Sequence, residues 1–483
     1  MMNHLHRTSN MWLIITFLLI AAIAQAFLIL RSEYIAIVLS LAALFFMLFH
    51  NAPVGLLMIL IFIFPFSGTE AFKTAMADIP GFKPLQVFTL SIMIIALLNL
   101  RNAVRPPLPA VIFFAAIIAL FSIAFLRSVP NLTAINQMLP EALSLKRYFL
   151  SEYFKPLIYI IPAVILTQYV HTMRDIERVV RTINWSITIL SVVIIGFFFF
   201  NRNLIFDPGS TRSFYASSFG LHTNSIANYY IVGFPFILAD LFRQRPLAGI
   251  LKIGLCAVAI ALLFSRSAYY IFILSFFVYL FVSRRGKWLP LLLVAMLAVY
   301  FMMPERVTER ATKGFHSRDR NQIFAGRVDH IWLPLLKEIT SDYKVLLFGD
   351  GRFAMVSTDA HKKKIVLQAL HPHNMYLEMV LDAGLLGLCV FLGLFAYLLM
   401  KLYSRMKDAE GTPYKEYLVA IITSMVCFLV SGITDRTFFP DEINGYLWLL
   451  VGLAFVLCRH VQVLKLRAQA ESGAAHSIET RFA

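Results

Sequence analysis

The feature that most constrains this chain is the repetition of long apolar runs. They fall at about residues 11–30, 34–49, 53–66, 85–100, 108–126, 156–170, 182–200, 225–242, 247–264, 267–283, 288–303, 374–400, 415–433 and 443–458. Roughly 20 apolar residues span a bilayer as a helix, and backbone inside lipid must satisfy its own hydrogen bonds. A chain patterned this way folds as a bundle of membrane helices. Some runs are shorter than a full span and can merge or re-enter, so the expectation is an all-α, polytopic integral membrane protein with about 12–14 transmembrane helices and one long extracytoplasmic loop containing short helices. Composition agrees, because 59% hydrophobic residues and a mean hydropathy of +0.74 exceed the apolar content of about 45–50% usual for soluble domains.

The runs divide the chain into transmembrane helices over 1–303, a large loop over 304–373, further transmembrane helices over 374–458 and a polar tail over 459–483. Run 11–30 exceeds the roughly 7–15 residues of a signal-peptide core and reads as an uncleaved first helix, although Ala24-Gln25-Ala26 resembles a weak cleavage site. A net charge of +16 suggests nucleic acid in a soluble chain, but in a membrane chain it marks basic cytoplasmic loops or an anionic ligand. The loops decide. Arg101 and Arg105; Arg174, Arg178 and Arg181; Arg243 and Arg245; Arg284, Arg285 and Lys287; Lys401, Arg405 and Lys407; and Arg459, Lys465 and Arg467 occupy alternate loops. The intervening turns carry little net charge, as in Glu70 with Lys73, or Asp435 and Arg436 with Asp441 and Glu442. Both termini are therefore expected in the cytoplasm, 304–373 outside, and no nucleic-acid partner. Cys256, Cys389, Cys427 and Cys458 all lie in apolar segments and read as small core residues. The tail from 466 onward is expected to be disordered.

The same count puts Arg212, Arg266, Arg327 and His373 together on the extracytoplasmic side. The long loop is cationic, with twelve Lys/Arg against eight Asp/Glu, and suits an anionic headgroup or a diphosphate. Within it, residues 328–339 carry apolar positions at helical spacing, with Pro334 bending or restarting the helix, and 346–351 (LLFGDG) reads as a buried turn. Lys362, Lys363 and Lys364 read as a solvated face. The loop closes on residues 371–387, HPHNMYLEMVLDAGLLG, where His373 and Asn374 are followed after nine residues by Gly384 and Gly387. Those glycines allow another backbone close to the helix. Asp382, inside an apolar run, is costly unless paired, and either orients His373 or bonds to a neighbouring helix.

His-Asn, nine residues, Gly-x-x-Gly resembles the signature of the bacterial O-antigen ligase and polymerase superfamily. Arg327, Trp332 and Phe348-Gly349-Asp350-Gly351 resemble the order that precedes that His. Ser265-Arg266-Ser267 is similar to the superfamily's Ser-Arg turn, and residues 212–224 (RSFYASSFGLHTN) to its Arg, Gly and Asn loop. Two departures stand out: Leu221-His222-Thr223-Asn224 has no proline before Asn, and Asp382 occupies a place where Glu is common. The resemblance implies a metal-independent, cofactor-free inverting glycosyltransferase of the bacterial inner membrane, acting on its periplasmic face. The donor is a glycan on polyprenyl diphosphate, and the acceptor is lipid A core in a ligase or another glycan in a polymerase. On that reading Arg266, Arg327 and His373 are catalytic, while Arg212, Asn374 and Asp382 bind substrate. Other readings remain: helix-end arginines that snorkel to headgroups, a His371-x-His373 metal pair, or a transporter for an anionic lipid or sugar phosphate, which would place charges at the bilayer midplane.

Overall fold

A computed structural model describes residues 53–69, 72, 83–139, 142–201, 207–243, 246–302, 305–312, 321, 324, 326–367, 369–435 and 437–482. The expected spans 11–30 and 34–49, with the Ala24-Gln25-Ala26 site, lie outside these residues, as do Glu70, Lys73, Arg245 and Arg436. Regular structure among the described residues is helical. Its main helices are α1 (Pro53–Ile63), α2 (Pro84–Leu98), α3 (Leu108–Ser128), α4 (Lys155–Tyr169), α5 (Met173–Phe200), α6 (Pro208–Ser218), α7 (Thr223–Arg243), α8 (Pro246–Leu262), α9 (Arg266–Val282), α10 (Leu289–Met302), α11 (Glu305–Thr312), α12 (Leu333–Ser341), α13 (Tyr343–Phe348), α14 (Met375–Asp408), α15 (Tyr414–Asp435) and α16 (Gly445–Phe482). Seven helical stretches among the described residues are long and apolar enough to cross a membrane, and four shorter apolar helices accompany them. The protein is an all-α polytopic membrane protein.

The centre of the bundle is α7, which packs on α5, α8, α9 and α15. Residues 226–239 of α7 are buried on every face, as an apolar-all-round helix must be. Polar side chains inside the bundle bond to carbonyls of neighbouring helices: Ser424 to Val232 at 2.8 Å, Ser186 to Phe62 at 2.9 Å, Tyr446 to Ile61 at 2.7 Å. In lipid, where apolar contact alone does not distinguish a helix from an acyl chain, such bonds help to fix which helices meet.

Helices α9 and α15 run antiparallel. At one end Arg285, just past α9, grips Glu416 in the first turn of α15 through two bonds of 2.8 and 2.6 Å, and the Tyr279 hydroxyl adds a third at 2.6 Å. At the other end Arg327 donates to the carbonyl of Thr434 near the last turn of α15, beside the start of α9. Basic loop residues gather at the Arg285 end, where Arg243 meets Glu177 and the Tyr417 ring, and Arg405 and Lys465 share Asp408.

The glycines of the 371–387 segment act on the backbone. Gly384 has φ +72° and interrupts α14, and a Cβ there would lie 2.2 Å from the Leu347 carbonyl carbon. The carbonyls of Leu381 and Asp382 accept instead from the N–H groups of Asp350 and Gly351, at 2.8 and 3.0 Å. The 346–351 turn therefore docks into the break, with Gly349 at φ +73° and Gly351 at φ +94°. Residues 328–332 form a π-helical turn that leads into α12, and Pro334 sits in the first turn of the regular stretch, where its missing N–H costs little.

Two expectations need correction. The tail is not without structure: α16 continues to Phe482, because a membrane helix has already met the nucleation cost and residues such as Ala, Gln, Glu and Arg propagate it. Cys389 is exposed on the outside of the bundle, whereas Cys256, Cys427 and Cys458 are core residues as expected.

Candidate active site

Arg266 opens α9. Ser265 caps that helix, accepting from the Ala268 N–H at 3.4 Å and donating to Asn224 Oδ1 at 2.7 Å, so the Ser-Arg-Ser turn is tied to the start of α7. Phe264, at φ +48°, turns the chain into the cap. Arg266 is placed within electrostatic reach of Arg212 on α6 and of Arg327. A fourth guanidinium joins them: Arg310 on α11 donates from Nε to the Phe264 carbonyl at 3.3 Å. Burial, and then the charges of Arg212 and Arg266, push Arg310 below its ordinary pKa. The Tyr270 hydroxyl, 2.5 Å from the Ala311 carbonyl, holds α11 against α9. Arg212 is half-buried, and its Nε has no hydrogen-bond partner.

His373 is joined to this cluster through its neighbours. Trp332, at the end of the π-turn that follows Arg327, donates to the Pro372 carbonyl at 3.0 Å. Tyr376 donates to the Leu429 carbonyl at 2.6 Å, and Met375 lies against Gly432, within a turn of Thr434. His373 itself takes φ +55°, a left-handed conformation that costs a non-glycine residue on the order of 1 kcal/mol. Its ring lies 4.7 Å from that of His371. Asn374 caps α14, with Oδ1 accepting from the N–H groups of Tyr376 and Leu377, both at 3.0 Å.

Asp382 belongs to a different constellation. Arg352, from the turn docked on α14, lies 2.5 Å from Glu378 and 3.3 Å from Asp382, and its guanidinium stacks 3.9 Å from the Phe439 ring centre. Asp382 Oδ1 also accepts from the Ala354 N–H at 3.2 Å, so both oxygens of Asp382 have a partner. Burial alone would pull the Arg352 pKa down, but Glu378 and Asp382 more than offset it and hold it above the ordinary value. Beside the network lies a polar cavity of about 210 Å³ lined by Glu378, Arg352, Thr437, Asp441, Asn228 and His371, among others. Burial pushes the Asp441 carboxyl up to about 6, against the N–H groups of Asn444 and Ile443 that favour its charged form.

Residues 252–392 match the family model described as O-antigen ligase. The match covers that segment, under a third of the chain, and supports a likeness to the O-antigen ligase superfamily. No curated protein matches the chain. Members of the superfamily are membrane enzymes of the glycosyltransferase type, so the general reaction class is glycosyl transfer of the O-antigen ligase or polymerase kind.

The O-antigen ligase segment contains Arg266, Arg310, Arg327, Arg352, His373, Asn374 and Asp382, while Arg212 lies before it. Of the residues singled out in the sequence, Arg212, Arg266 and Arg327 converge, and His373 is joined to them by the Trp332–Pro372 bond and α15. Asn374 serves as a cap, and Asp382 pairs with Arg352. Sequence reasoning passed over Arg310, Arg352 and Glu378. A signal existed for two of them: two carboxylates one turn apart in an apolar helix require a cation, which Arg352 supplies.

Proposed function

We propose that the protein transfers a glycan from a polyprenyl diphosphate carrier to lipid A core by an inverting, metal-independent reaction. The supporting observation is the convergence of Arg212, Arg266, Arg310 and Arg327 at the start of α9. Guanidinium groups gathered at one place offer a diphosphate several charge-assisted, forked hydrogen bonds. The α9 N-terminus adds its own preference for an anion. As the glycosyl–phosphate C–O bond breaks, negative charge grows on the departing diphosphate, and fixed guanidinium groups in a partly desolvated site stabilise it. The acceptor hydroxyl attacks the anomeric carbon from the opposite face, and the imidazole of His373 takes its proton. The cationic cluster fills the role that a divalent ion has in many glycosyltransferases, so a chelator is expected to leave transfer by the purified protein intact.

In this reading the Arg285 end, with its basic loops, faces the cytoplasm with both termini, and the His373 end faces the periplasm across the inner membrane. A chromosomal His373→Ala strain tests the reaction. Long polymer stranded on the carrier, with bare core on a lipopolysaccharide gel, supports a ligase. Core capped with a single repeat indicates a polymerase, and unchanged glycans contradict both.

A further inference from the structure

The cavity beside Arg352 has a chemistry opposite to that of the arginine cluster. Two carboxylates, Glu378 and Asp441, line it against a single guanidinium. Three buried polar atoms on its lining residues have no hydrogen-bond partner: Glu378 Oε2, Asn228 Oδ1 and Arg352 Nε. Glu378 is 4% exposed and Asn228 1%, so neither atom is compensated by bulk water. An unsatisfied buried polar atom costs about 1–3 kcal/mol, which three such atoms impose together unless something fills the space. Their other atoms are held in place: Glu378 Oε1 accepts from Arg352 at 2.5 Å and Thr437 Oγ1 at 3.2 Å, and Asn228 Nδ2 donates to the Ile443 carbonyl at 2.9 Å.

The unmet set is two acceptors and one donor. A cation would satisfy the acceptors but face Arg352, and an anion would satisfy Arg352 Nε but face Glu378 and Asp441. A hydroxyl both donates and accepts, and a group bearing several of them meets all three atoms. The cavity, at about 210 Å³, is far larger than the roughly 10–15 Å³ that one water requires, and it is lined in part by His371, whose ring is 4.7 Å from that of His373. We infer that this cavity is the acceptor-sugar subsite: Glu378 Oε2, Asn228 Oδ1 and Arg352 Nε hold hydroxyls of one neutral sugar ring and so present the neighbouring acceptor hydroxyl to His373. The inference rests on the glycosyl-transfer reading. Glu378, already paired with Arg352, binds the ring and does not serve as the base.

The test is saturation-transfer NMR on the full-length protein in detergent, with two probes free of lipid and diphosphate: the core oligosaccharide released from the host lipopolysaccharide by mild acid, and a single O-antigen repeat. Wild type should show transfer to one probe. Glu378→Gln and the milder Asn228→Ser should lose it at least fivefold, while Arg266→Ala retains it. In turnover assays Asn228→Ser should raise the acceptor KM about tenfold with little change in the donor KM. Binding of the repeat but not the core supports the subsite while overturning the ligase reading. Binding of neither probe, signal unchanged in both cavity variants, or equal loss in Arg266→Ala would overturn the subsite and leave the cavity as a water-filled void.

Discussion

The α9–α15 pair ends in arginine at both extremities, about 25 Å apart along α9 at the usual helical rise, and the two ends are built on opposite principles. At one, Arg285 is matched by Glu416 and Tyr279, and although burial lowers its pKa, the Glu416 carboxylate more than restores it. At the other, Arg266 lies within electrostatic reach of Arg212 and Arg327, and Arg310 adds a fourth guanidinium. Arg327 is held by a neutral carbonyl, that of Thr434. An arginine whose charge is answered within the fold is scaffold. Arginines gathered within reach of one another form a surface suited to an anion.

Each substitution that follows separates stability from activity at one end or the other. Glu416→Ala strands a partly buried guanidinium and the Tyr279 hydroxyl, and should cost about 3–5 kcal/mol by chemical unfolding in detergent, with transfer per folded molecule unchanged. Arg266→Ala should do the reverse, lowering transfer about 10²–10³-fold while costing less stability than Glu416→Ala. Arg266→Lys should fall between the two, since it keeps the charge but loses the fork.

Smaller effects concern the supports of the site. Gly384→Ala places a Cβ against the Leu347–Phe348 backbone at positive φ and should cost about 2 kcal/mol, seen as faster proteolysis of the 346–367 segment. Asp441→Asn keeps the bonds from Ile443 and Asn444 but removes a carboxyl whose folded pKa, about 6, lies above its ordinary 3.8. The folded protein therefore holds that proton more tightly than the unfolded chain, and stability falls as pH rises from about 4 to about 6. The variant should flatten that slope by on the order of 1 kcal/mol per pH unit. A slope unchanged in the variant would remove Asp441 from the cavity's electrostatics.

The bundle was legible because each span is a local property: an apolar run of the right length is readable without knowing its neighbours. Gly384 was legible as a point of close approach, but its partner, the backbone at Leu347 and Phe348, was not, since nothing local specifies a docking 37 residues away. Loop alternation separated Arg212, Arg266 and Arg327 from the other basic residues. It did not reveal Arg310, on a short helix whose Val307 and Ala311 pack inward beside it, or Arg352, which follows a glycine turn with no pattern of its own. Asp382 announced that it needed a partner but not which one. The tail helix was missed because composition describes an isolated segment, whereas this one inherits its first turns from α16.

Whether the guanidinium cluster at the start of α9 binds a diphosphate is read from the affinity of the purified protein for farnesyl diphosphate against farnesyl monophosphate. Wild type should prefer the diphosphate by at least tenfold, Arg266→Ala and Arg327→Ala should each abolish the preference, and Glu416→Gln at the opposite end should keep it. A preference that survives both arginine substitutions would contradict the account.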